Sequence, residues 1–202
     1  MKVPIVKAGE RPRAYIISRK TKETEISLNL SLDGGEVKVS TGIGFFDHML
    51  TALAFYGGFG LELTAKGDLH VDGHHTVEDV GIVLGQAISQ ALGDRKGVCR
   101  FASAYIPMDE ALCFTALDLS NRPFLVFDAA MPQERIGDYD ACLTEEFMRA
   151  LAVNSGMTLH MKALYGNNAH HITEALFKSL GVALKHAVKV EGDGVVSTKG
   201  VL

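Results

Sequence analysis

The stretch His74-His75-Thr76-Val77-Glu78-Asp79 is written again 96 residues later as His170-His171-Ile172-Thr173-Glu174-Ala175. Both are His-His-x-x-Glu units, and imidazole with carboxylate is the donor chemistry of a transition-metal site. On a helix turning ~100° per residue, the first His stands at 0°, the second at ~100° and the Glu at ~40°, so all three project from one side. Neighbouring imidazoles that diverge by ~100° reach one ion awkwardly but serve two adjacent ions well. The spacing therefore predicts two units sharing two metals, not one metal per unit. A lone His pair at a helix start is ordinarily just a solvated first turn. Here four of the eight histidines lie in the doublets, each doublet has Glu at the same offset, and a further His precedes each unit.

The candidate ligands are His48, His74, His75 and Glu78 from the first half and His160, His170, His171 and Glu174 from the second. Divided evenly, each ion receives three imidazoles and one carboxylate, which suits Mn²⁺, Fe²⁺, Co²⁺ or Zn²⁺ better than Mg²⁺ or Ca²⁺. His70 and His186 stay outside the set as structural or solvated residues. A second constellation is basic. Arg100, Arg122, Lys178 and the run Ser197-Thr198-Lys199-Gly200 could converge on an anion. Lys178 follows Glu174 by four residues and so shares its helix face, the alternative being a simple surface pair. Two hydroxyls and an ammonium on a Gly-containing backbone suit phosphate.

These residues need elements to hold them. Residues 1–12, with Lys2, Pro4, Gly9 and Pro12, read as a loose lead-in. Strands are predicted at 14–19, 25–30 and 36–40, the last two flanking Asp33-Gly34-Gly35 as part of a meander, followed by a helix over 45–55 that stops at Gly57-Gly58. A strand at 61–65 and a long amphipathic helix over 76–92 complete the unit. The same order returns after Arg100, with strands at 102–106, 111–119 and 123–129, a helix over 145–153, a strand at 157–163 and a helix over 170–188. His48-Met49-Leu50 faces Glu146-Phe147-Met148 at an offset of 98, and the doublets follow at 96. The chain thus reads as an α+β tandem duplication, with half-repeats 1–95 and 96–202 forming one compact catalytic domain.

Composition narrows the function. The chain has 202 residues, 47% of them hydrophobic, which is enough for a real core, and a net charge of −4 with scattered Lys and Arg leaves no basic footprint for nucleic acid. Cys99, Cys113 and Cys142 form no C-x-x-C pair, which fits a reducing compartment. No apolar run has the length of a signal peptide core or a membrane span, so a cytoplasmic protein without membrane partners is expected.

Phe46-Asp47-His48-Met49-Leu50, Asp72-Gly73 with the first doublet, Ser120-Asn121-Arg122-Pro123, Asn168-Ala169 with the second doublet and Phe177-Lys178, and Ser197-Thr198-Lys199-Gly200 resemble the signatures of the imidazoleglycerol-phosphate dehydratases. The resemblance spans nearly the whole chain. It implies a Mn²⁺-dependent lyase of histidine biosynthesis, with two Mn²⁺ per active site, that converts imidazole glycerol phosphate to imidazole acetol phosphate and water. It also implies half-domains of the ribosomal protein S5 domain 2 type and a 24-subunit homo-oligomer with active sites between subunits. Glu23 matches a family acid that contacts substrate. Ala52 stands where members often carry Gln, Tyr56 where they carry His, and Val196 where Pro commonly precedes Ser-Thr-Lys-Gly.

The chemistry is consistent with that implication. The proton to be removed lies beside no carbonyl and hydroxide leaves poorly, so the substrate's own imidazole must supply electrons. Two metals on its ring nitrogens would hold it as the imidazolate. Phosphate anchored by Arg100, Arg122, Lys178, Ser197 and Lys199 would set the reacting carbons against them. Glu23, Glu174 and His74 are the candidate proton-handling residues. One rival is a dinuclear metal-dependent phosphoester hydrolase, disfavoured because such sites draw on more than two carboxylates. Another is an S5-like protein storing metal or contacting RNA, which the acidic balance and the anion cluster oppose.

Overall fold

The computed structural model describes residues 13–200 and 202; the lead-in at 1–12 lies outside the described residues. In the first half the elements are β1 (Ala14–Lys20), β2 (Thr24–Ser31), β3 (Val37–Ser40), α1 (Gly44–Gly57), β4 (Gly60–Gly67) and α2 (His74–Leu92). The second half holds β5 (Phe101–Met108), β6 (Ala111–Asp118), β7 (Phe124–Asp128), β8 (Arg135–Ile136), β9 (Tyr139–Asp140), α3 (Leu143–Ser155), β10 (Thr158–Tyr165) and α4 (Ala169–Ala187).

The two four-stranded sheets have matching orders, β1-β2-β4-β3 and β5-β6-β10-β7, as duplication requires. The expected meander does not form. β3 lies beside β4, parallel to it, with Val37 opposite Leu61 and Ser40 opposite Thr64. The reason is the helix between them: α1 carries the chain back over the sheet, and a crossover of that kind returns the next strand parallel. β4, apolar at Leu61, Leu63 and Ala65, then takes the central place beside β2, and the four-residue β3 is left at the edge.

The helices lie between the sheets. α2 packs on β1 and β2, α4 packs on β5 and β6, and across the middle α1 meets α4 while α3 meets α2. Close approach in that middle layer depends on glycine. A Cβ on Gly85 would stand 2.8 Å from the Leu151 carbonyl oxygen, and one on Gly181 would stand 2.6 Å from that of Leu53. The glycines are 96 apart and the leucines 98 apart, repeating the offsets of the doublets and of the helices before them. The core runs continuously through the layers, from Ile26, Leu28 and Leu30 through Phe46, Phe147 and Phe177 to Leu159 and Met161. Burial pushes the Cys113 thiol up to about 12, which leaves it an inert packing group.

One feature breaks the symmetry. Between β3 and α1 lie residues 41–43, whereas between β7 and α3 lie residues 129–142, which form the β8–β9 hairpin. Its Tyr139 is fully buried against Phe45 and Phe46, at centroid distances of 5.4 and 5.9 Å. The Gln133 side-chain oxygen accepts from the Ala169 N–H at 2.6 Å, so the insert seats the start of α4. No helix among the described residues is long and apolar enough to cross a membrane.

Candidate metal-binding active site

α4 begins at a true cap. Asn168 Oδ1 accepts from the His170 N–H at 2.9 Å, as Asp72 Oδ1 accepts from the His74 N–H at 2.8 Å at the start of α2. One turn into α4, the buried Glu174 carboxylate faces two imidazoles, with Oε2 at 3.2 Å from His170 Nε2 and 3.7 Å from His48 Nε2 on α1. Donor atoms of these three residues all lie within 4.8 Å of one another, the one such group among the described residues. Glu174 Oε1 is taken by Lys178 Nζ at 2.7 Å, with both side chains largely buried, so this is not a surface pair. Burial works against ionising Glu174, but the Lys178 hydrogen bond and charge outweigh it and hold the carboxyl below its ordinary value. Tyr56, one of the departures from the family pattern, lies with its ring 5.3 Å from the Lys178 ammonium.

The doublets divide their labour as the ~100° divergence requires. The first His of each faces its own Glu, with His74 Nε2 3.6 Å from Glu78 Oε2. The second His turns away. His75 Nδ1 lies 3.0 Å from Asp68 Oδ2, and His171 Nδ1 lies 2.6 Å from Glu110 Oε2. Neighbouring rings stand nearly perpendicular, at 83° and 80°. A carboxylate behind Nδ1 fixes the proton there and leaves the Nε2 lone pair outward, the arrangement of a ligating histidine. This donor set fits a transition-metal ion.

Asp68 and Glu110 escaped the sequence reading because they lie outside both doublets. Glu110 did leave a signal: it occupies the β5–β6 turn as Glu23 occupies the β1–β2 turn. His171 and the Asn167 N–H hold the Glu110 carboxyl down to about 2, and His75 likewise lowers Asp68. The partners respond in kind: Asp68 raises His75 and Glu110 raises His171 above the ordinary imidazole value. A raised value means the proton is retained to higher pH, so metal must displace a proton held more tightly than usual. The apparent affinity for a divalent ion such as Mn²⁺ should therefore begin to fall on acidification at a pH above ~6.5. Titration of free Mn²⁺ by EPR at a series of pH values checks this, and an affinity that stays flat to well below that pH would contradict it.

The remaining residues separate into two places. Arg100 is buried, with Nε and Nη2 on Asp118 at 2.7 and 3.1 Å and Nη1 donating to the Val196 carbonyl beside Ser197. Arg122 Nη2 reaches the same Asp118 at 3.6 Å, so Arg100, Arg122 and the tail share one neighbourhood, where the Lys199 N–H donates to Ser197 Oγ at 3.2 Å. Lys178 is not part of it. Arg100 is fixed at the far end of α4 by its N–H on Ala187 O, nine residues or roughly 13 Å along the helix from Lys178. His160 also stands apart, exposed on β10 between buried Leu159 and Met161 and so on the sheet face away from the helices. Glu23 Oε1 lies 3.9 Å from His75 Nε2, on an exposed hairpin.

Fold and site together define a twinned α+β protein that gathers imidazole and carboxylate side chains at its helix starts, one group of which could hold a metal ion. Residues 41–184 match the family model for imidazoleglycerol-phosphate dehydratase. The chain is 57% identical over 193 residues to the imidazoleglycerol-phosphate dehydratase of Acetivibrio thermocellus, covering 94% of this chain and 99% of that one. It is 55% identical over 190 residues to that of Gluconobacter oxydans, covering 92% and 96%. Among solved structures, the Staphylococcus aureus enzyme superposes with a TM-score of 0.81 at 38% identity, covering 88% of this chain and 99% of that one. The Pyrococcus furiosus enzyme, in complex with (S)-C348, gives 0.81 at 42%, covering 92% and 100%. The chain belongs to the imidazoleglycerol-phosphate dehydratase family, and is thus an enzyme, a lyase of histidine biosynthesis.

Proposed function

We propose that this enzyme dehydrates imidazole glycerol phosphate to imidazole acetol phosphate in the cytoplasm, with two Mn²⁺ per active site and sites assembled between the subunits of a 24-copy shell. The half-repeats 1–95 and 96–202 act as one catalytic unit. The observation that carries the reading is the convergence of His48, His170 and Glu174, with Lys178 locked behind them. His74, His75 and Glu78 do not join that group within one chain, and His160 faces the opposite side of its sheet. A second copy is therefore needed to complete two ions of three imidazoles and one carboxylate. Exposed Ile16, Phe101, Tyr105 and Phe124 on the outer sheet faces supply apolar surface for such assembly.

Bound Mn²⁺ supplies Lewis-acid stabilisation of negative charge on the substrate's imidazole. The chain's own residues do the rest. Net, the carbon beside the ring loses hydroxide, which leaves with a proton as water. The neighbouring carbon loses a proton, and the resulting enol becomes the ketone when the ring-side carbon gains a proton and the enol hydroxyl gives one up. Glu174 stays ionised because Lys178 holds it so, which suits a ligand and not a proton donor. Among the described residues Glu23 has one distant polar neighbour, and over half its side chain is exposed, so it is free to take and return protons. Arg100 fixes the tail, while Arg122, Ser197 and Lys199 hold the phosphate from one copy and Lys178 from another.

Incubating the Mn²⁺-loaded protein with imidazole glycerol phosphate should give the ketone without release of inorganic phosphate. Phosphate release without ketone would instead favour the hydrolase. Lys199→Ala should raise KM by about tenfold, the loss of one charge-assisted contact made equally in ground and transition states, with kcat little changed. Steady-state kinetics check this, and unchanged KM would remove the tail from the site.

A further inference from the structure

The duplication places equivalent carboxylates in the two hairpin turns, Glu23 between β1 and β2 and Glu110 between β5 and β6. Their surroundings differ. Among the described residues Glu23 reaches only His75 Nε2, at 3.9 Å, and the side chain behind His75 is Asp68 from the β4–α2 loop. In the second half the position matching Asp68 at the offset of 98 is Gly166, which carries no carboxylate. A Cβ there would stand 2.9 Å from Ala111 Cβ, so the bare backbone lets the turn before α4 press against the β5–β6 hairpin. Glu110 then reaches across. Its Oε1 accepts from the Asn167 and Asn168 N–H groups at 3.1 and 2.9 Å, and its Oε2 lies 2.6 Å from His171 Nδ1. Gln133 takes the Ala169 N–H and Asn168 takes the His170 N–H, so four consecutive donors at the helix start are satisfied.

We propose that Glu110 is a positioning residue for the dehydratase site: one oxygen sets the start of α4, the other sets the His171 ring with its Nε2 outward, and its duplicate Glu23 has been released from that task. This rests on His171 being a metal ligand. The carboxylate that braces a ligating imidazole holds its proton on Nδ1 and strengthens Nε2 as a donor, and loss of such a partner costs about 10–100-fold in metal affinity. The same one-residue link makes the helix start and the imidazole direction a single rigid feature.

The test is Glu110→Gln in the assembled protein, read by Mn²⁺ affinity from EPR titration. The amide keeps an acceptor for the two backbone N–H groups but presents an N–H donor to Nδ1, which drives the imidazole proton onto Nε2, where the metal must bind. The expected result is an assembled protein with unchanged melting temperature and about 10–100-fold weaker Mn²⁺ binding. Turnover should be recovered by excess Mn²⁺ in Glu110→Gln but not in His171→Ala. Unchanged affinity, or a Glu110→Gln protein that fails to fold, would overturn the proposal, the latter by making Glu110 a brace of the fold itself. The two levels separate cleanly. If His171→Ala binds Mn²⁺ as the natural sequence does, the ligand reading fails. If His171→Ala loses metal while Glu110→Gln does not, only the positioning role fails.

Discussion

His171→Ala should abolish turnover, with a fall of about three orders of magnitude or more, and should lower the Mn²⁺ bound per subunit. The magnitude follows from what is removed: a metal acting as Lewis acid supplies several kcal/mol of transition-state charge stabilisation, and each ~1.4 kcal/mol is tenfold in rate. His171 is only partly buried and its Nδ1 is held by Glu110, so the substitution deletes a directed donor without opening the core. His75→Ala should behave alike, since Asp68 aims that ring in the same way. Product assay and metal analysis of the purified variants check both. Unchanged metal content with unchanged rate would remove the second histidines from the ligand set.

Glu23→Gln should lower kcat by about 10²–10⁴-fold, the range for losing a general acid–base group, while KM and Mn²⁺ content stay near their original values. Among the described residues the side chain bonds to no backbone group, and it takes no part in the core, so amide replacement removes proton transfer and little else. Glu174→Gln makes the contrast. It should lose metal as well as rate, because that carboxylate faces His48 and His170 and balances the buried Lys178. Equal metal loss in the two variants would place Glu23 among the ligands and leave the proton without a carrier. Kinetics and metal content measured on the same samples decide between these outcomes.

Much of this site was legible from residue order because its chemistry is local. A His-His-x-x-Glu unit carries its own helical geometry, so the pairing of each first His with its Glu and the outward turn of each second His follow from the period alone. The duplication was legible for a similar reason, since offsets of 96 and 98 survive in the doublets and again in the glycines that let α1 and α3 pack. Strand order was less so. Nothing in Val37-Lys38-Val39-Ser40 distinguishes a partner on β2 from one on β4, and only the crossover of α1 settles it. The β8–β9 insert was hidden in a stretch without strong periodicity. The braces Asp68 and Glu110 are harder to see because both lie outside the doublets, Asp68 seven positions before His75 across a loop and Glu110 61 positions from His171, with only the matching turn places of Glu23 and Glu110 as a signal. The basic residues suggest one cluster in the sequence, whereas about half the length of α4 separates Lys178 from Arg100.

The central claim is that an active site joins the start of α2 from one copy to the start of α4 from another. Co-expressing His75→Ala and His171→Ala subunits tests it directly, because each is inactive alone and each carries the half-site the other lacks. With random mixing in a closed oligomer, about a quarter of the sites should pair two intact half-sites, so dehydratase activity should return to roughly that fraction. Mixed particles as inactive as either parent would show that both doublets must come from one chain, and would contradict the account.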